Sequence, residues 1–283
     1  MAEEELTQPW GWLPAEQHLI RNWDPASPLP ATSQRRSLIR AFLDQGDVPG
    51  EYEPSRDGTP SRIPTAAEVR DVLAPWRPLA LRRIACFMWP SYEHELVILR
   101  THYGTGGGGG GGADDARLRG WIDVDSEADV FFNPEALWWR LLDDEELFGF
   151  GDEWERVFDI LPELVGRQGR LGGVRRTIAA EDVEEARLEE DPEEEMRYLA
   201  FTLSAPTPLL VADKRAFEED KLRVLFLDAH GNIVKESRIT PGEMGTLKED
   251  ATNVRTPMWW KYGDIGPKYK PDGEIGRLLY PSE

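Results

Sequence analysis

The chain has 283 residues, 40% of them hydrophobic and 10% aromatic, with 11 Trp, enough apolar material for a core and an argument against global disorder. Its 53 acidic and 33 basic residues give a formal net charge of -20. Free nucleic acid and anionic membrane are repelled by such a surface, and a basic protein is the better partner.

The amino-terminal stretch MAEEEL is acidic. It has neither the apolar core of a secretory signal nor the Arg-rich pattern of a mitochondrial presequence, and no apolar run in the chain reaches the length of a membrane span. An intracellular protein, cytoplasmic or nuclear, is expected. Residues 1–31 are rich in Trp and Pro, with Trp10, Trp12 and Trp23 among five prolines. Prolines this dense oppose long regular structure, so the segment reads as an arm. It can strap the body of its own chain or reach a partner.

A helix is expected over 33–45, with Leu38, Ile39, Phe42 and Leu43 as its stripe, Thr32 or Ser33 as cap and Gly46 beyond its end. Thr65-Ala66-Ala67-Glu68 is a capping box that opens a short helix ending at Pro75. Ile84–Trp89 and Glu95–Tyr103 read as paired strands around a turn at 90–94. Cys86 lies in the apolar run of the first and reads as a buried inert thiol.

Residues 104–115 hold seven consecutive glycines, Gly106–Gly112, followed by Ala113-Asp114-Asp115. The acids are the wrong charge for a phosphate loop, so the run reads as a flexible loop, natural low complexity or an engineered replacement. Leu118–Val124 is expected to resume the sheet. Asn133-Pro134-Glu135 is a helix start that predicts a helix over 134–147, and a second over 152–165 follows from Trp154, Val157, Phe158, Leu161 and Leu164.

Glu181–Glu195 contains ten acids and one base, a block that reads as a solvated helix or loop. Strands are expected at 196–203 and 208–212, a short helix at 213–219, and a hairpin over Leu222–Ile239 closed by Asp228-Ala229-His230-Gly231-Asn232. Its first strand is apolar on both faces and reads as interior; its second, with Lys235, Glu236 and Ser237, turns one side to water. The pattern as a whole predicts an α+β fold, a mostly antiparallel sheet with helices packed on it and an irregular aromatic carboxyl-terminal tail. Residues 32–283 read as one domain, with subdomains 32–165 and 196–283 as the alternative.

None of the four histidines falls into a metal-ligand spacing, and no nucleophile elbow or dinucleotide fingerprint is present. No metal or other cofactor is expected. The few catalytic candidates are Asp228 and His230, a carboxylate and an imidazole at a strand end, and His94 within Glu93-His94-Glu95; each also suits a plain turn. The binding candidates are Trp259, Trp260 and Tyr262, since Trp and Tyr favour interface centres, and the acids Glu193, Glu194 and Glu195. Charge and the lack of catalytic motifs predict a non-catalytic interaction protein with a basic protein partner. The alternatives are an enzyme acting on a small molecule near the 222–239 hairpin, and an inhibitor or immunity-type protein whose acidic face mimics nucleic acid.

Overall fold

The hairpin at 222–239 sits in a five-stranded sheet. A computed structural model of the chain describes residues 8–45, 48–89, 96–104, 111–129, 139–165, 184–188, 191–192, 195–196, 207–228 and 230–247. The chain divides into two compact units. One comprises Met1–Tyr92, Glu155–Arg176 and Ala229–Gly231, and the other Glu93–Trp154, Thr177–Asp228 and Asn232–Glu283.

The regular elements described in the first unit are helices. Helix α1, Pro14–Asn22, starts with Pro at its first position, where a missing N–H costs nothing. Residues 11–20 are all buried, including Glu16, Gln17 and His18. Helix α2, Ala31–Asp44, buries Arg35, Ile39, Phe42 and Leu43 on one stripe. Pro30 precedes it and no side chain caps it, so the expected Thr32 or Ser33 cap is replaced by the proline turn; Gly46 lies outside the described residues.

The Thr65 box forms as its sequence requires. Thr65 Oγ1 accepts from the Glu68 amide at 3.2 Å and the Thr65 amide donates to Glu68 Oε2 at 2.8 Å. Such a cap is worth about 1 kcal/mol. Helix α3, Ala66–Glu68, runs on as a single wide turn to Leu73 and buries Val72 and Leu73.

Ile84–Trp89 is not a strand. Helix α4, Leu79–Met88, covers it, because Leu81 and Arg82, Ala85 and Cys86, then Trp89 are buried at helical spacing. The expected helix over 152–165 is also corrected: Trp154–Asp159 and Pro162–Leu164 are two 3-10 segments. Pro162 has no N–H to continue the ladder and forces Leu161 to an extended φ of -140°. Val157, Phe158, Leu161 and Leu164 are buried as their spacing predicts.

The second unit holds the sheet. Strand β1, Leu96–Arg100, pairs in parallel with β2, Trp139–Leu142, on one side and with β3, Thr207–Ala212, on the other. Strands β3, β4 (Leu222–Leu227) and β5 (Ile233–Ile239) form an antiparallel meander. The fold is therefore α+β, with its antiparallel pairs in the meander and two parallel pairs around β1. The parallel neighbours of β1 replace the expected hairpin at 84–103. As expected, β4 is buried on both faces except at Arg223, and β5 exposes Glu236.

Leu141, Ile98, Leu210 and Val224 lie in one row across the strands. That row is the floor of a core completed by Leu118 and Trp121 and by Ala216, Phe217, Met244 and Leu247. Each fully buried Leu, Val or Phe contributes about 1.5–3 kcal/mol. Leu118 and Trp121 reach the core from helix α5, Gly111–Asp129, so residues 118–124 are helix rather than the expected strand: Leu118, Trp121 and Ile122 follow the i, i+3, i+4 rule. Helix α5 also takes the end of the expected glycine loop, while residues 105–110 lie outside the described residues. The helix expected over 134–147 is corrected to strand β2 followed by the single turn α6, Glu145–Phe148; Asn133 and Pro134 lie outside the described residues. Helix α7, Lys214–Glu219, is capped by Asp213.

Candidate functional site

Strands β2, β1 and β3 run the same way, with β1 in the middle. Their carboxyl ends therefore open on one edge, where the connections leave β1 and where open sheets with helices place their ligands. Polar residues gather at that edge. Arg100 ends β1 and Thr101-His102-Tyr103 follow; Asp143-Asp144 follow β2; Asp213 follows β3.

Arg100 is the centre of the group. Strand alternation puts it on the same face as Ile98, beneath α5. Its Nε donates to the His102 carbonyl at 3.0 Å, and its Nη1 donates to Asp115 Oδ1 at 2.6 Å and to the Asp143 carboxylate at 3.3 and 3.4 Å. The guanidinium lies 4.5 Å from the ring centre of Tyr103 and 5.5 Å from that of Phe217, both within cation–π range. The Arg100 side chain is 3% exposed, against 37% for Asp115 and 32% for Asp143. Burial opposes its charge, but the Asp115 hydrogen bond and the fields of Asp143 and Asp115 outweigh that and raise its pKa. Burial also raises the Tyr103 hydroxyl, reinforced by the charge of Asp143 and a hydrogen bond to it.

Two neighbouring segments complete an acidic rim. The Gly151 amide donates to the Thr101 carbonyl at 3.1 Å and ties the 149–153 loop to the end of β1. Asp144 caps α6 by accepting from the Glu146 and Leu147 amides at 3.0 and 3.2 Å. Asp143, Asp144, Glu145, Glu146, Asp152 and Glu153 are all exposed. At this edge one buried cation thus faces two half-open carboxylates, inside a wider border of acids. Asp213 is committed elsewhere: it caps α7 through the Ala216 amide and holds Arg238 at 3.0 and 2.5 Å.

The first unit contains a second charged cluster of different character. Arg82 donates to both oxygens of Glu16, at 2.5 and 3.2 Å, and to the carbonyls of Gln8 and Pro9. Arg77 meets Glu163 at 2.8 and 3.0 Å. All four side chains are buried, and the charges balance two against two, so the cluster is an internal clamp with no open carboxylate. Cys86 lies in its field; burial, only partly offset by Arg82, pushes its thiol up to about 11, which makes it a poor nucleophile.

Asp228 is buried and accepts from the Asn232 amide at 2.8 Å and from Asn232 Nδ2 at 3.0 Å, across the hairpin turn. His230 Nδ1 lies 2.9 Å from the Leu43 carbonyl. Asp228 falls in the second unit and His230 in the first. Glu195 is half-buried and its amide donates to the Asp191 carbonyl at 3.1 Å. His94, Glu193, Glu194, Trp259, Trp260 and Tyr262 lie outside the described residues. Arg100, Asp115 and Asp143 were not sequence candidates; the visible signal was a lone Arg closing the apolar run Leu96–Leu99 ahead of His102 and Tyr103.

Among the described residues no group of three or more His, Cys, Asp or Glu side chains is arranged to hold a metal ion, and no helix is long and apolar enough to cross a membrane. Compared with known proteins, the chain matches no family model, no curated protein and no solved structure.

Proposed function

We propose that the protein is a non-catalytic interaction protein that binds a basic protein partner through the acidic rim at the carboxyl ends of β1 and β2. The observation that carries this reading is the charge balance at Arg100: one buried guanidinium against the half-open carboxylates of Asp115 and Asp143. The rim thereby keeps a net negative charge and a rigid footing. Burial works in the same direction across the described residues. It withdraws five cations (Arg35, Arg77, Arg82, Arg100 and Lys235) against four acids (Glu16, Glu53, Glu163 and Asp228), and so leaves the acidic excess outside. A field of that sign attracts basic partners and speeds encounter with them. In this reading Trp259, Trp260 and Tyr262, with Glu193, Glu194 and Glu195, are further partner contacts on their residue types.

The test is fluorescence anisotropy with labelled poly-L-lysine at low and at physiological salt. Association that weakens steeply with salt, and by at least tenfold in Asp143→Asn/Glu145→Gln/Glu146→Gln, supports the proposal. Equal binding by the wild type and this variant contradicts it.

A further inference from the structure

We draw no further inference here: the strongest candidate, the loop joining α1 to α2 in which Pro25, Pro28, Leu29 and Pro30 are exposed, is an apolar surface patch, and nothing in the structure shows what covers it.

Discussion

Arg100 donates to Asp115 at 2.6 Å, and that single bond joins the end of the interior strand β1 to the opening turns of α5. The same guanidinium reaches Asp143 after β2, so one side chain gathers the carboxyl ends of two parallel strands and the helix between them. Removing it leaves two carboxylates facing each other with no cation. A fully buried broken pair costs 3–5 kcal/mol and an exposed one under 1. With the acids about one-third exposed, Arg100→Met is expected to lose about 2 kcal/mol by urea unfolding. Asp143→Asn in the same background recovers part of that loss.

The clamp in the first unit is more deeply buried, and its cost is expected to be larger. Arg82→Met leaves Glu16 with only Arg77, at 4.0 Å, and frees the carbonyls of Gln8 and Pro9. A loss of about 3–5 kcal/mol is predicted. Adding Glu16→Leu restores much of it, since an apolar pair of similar volume replaces a buried ion pair at little net cost. Denaturant midpoints of the two single variants and the double variant check this; additive losses would contradict it.

Gly11 holds a φ of +83°, and a Cβ there would lie 2.7 Å from Pro64 Cδ and 2.9 Å from the Arg62 carbonyl oxygen. The Gln17 side chain bridges the same two strands of chain, donating to the carbonyls of Gly11 and Arg62 at 2.5 and 2.7 Å. Gly11→Ala is expected to lower stability by about 2 kcal/mol through strain and forced separation, read as a lower thermal midpoint. Gly58, also at positive φ but with open space around it, serves as the comparison and is expected to lose about half as much.

Cys86 sets a pH dependence of defined sign. Its folded pKa is raised from 9.0 to about 11, by burial first, with Glu16 and Glu163 adding to the rise and Arg82 and Arg77 opposing it. The unfolded thiol ionises first as pH rises, so the protonated folded form contributes stability that is complete below pH 9 and is lost between 9 and 11. Cys86→Ala flattens that part of the stability profile. At pH 8 the folded thiol is expected to resist iodoacetamide until denaturant opens the first unit.

Much of the sheet was legible because its strands carry local signals. The run Leu96–Arg100 and the hairpin at 222–239 announce themselves by β-branched and apolar residues and by the Asp228–Asn232 turn. Thr65 and Glu68 state a helix start within four residues. By contrast, Ile84–Trp89 is an apolar run too short for period to separate strand from helix, and the decisive residues, Leu81 and Arg82, lie just before it. Helix α5 shows only Leu118, Trp121 and Ile122 among glycines and acids, so its stripe is visible mainly once Phe217, stacked on Trp121 at 5.4 Å, is known to be opposite. The site was hidden for a different reason. Asp115 and Asp143 lie 15 and 43 positions from Arg100, and in a chain with 53 acids neither stands out until the parallel pairing of β1 and β2 brings them together.

On the proposed function, a basic partner docks on the acidic rim at the carboxyl ends of β1 and β2. The most direct measurement is a 15N-labelled NMR titration of the full chain with poly-L-lysine at low salt. Progressive amide shifts at His102 and Tyr103, over Asp143–Glu146 and over Gly151–Glu153, abolished by Asp143→Asn/Glu145→Gln/Glu146→Gln, are the predicted result. Shifts confined to other parts of the chain, or none at all, would contradict it.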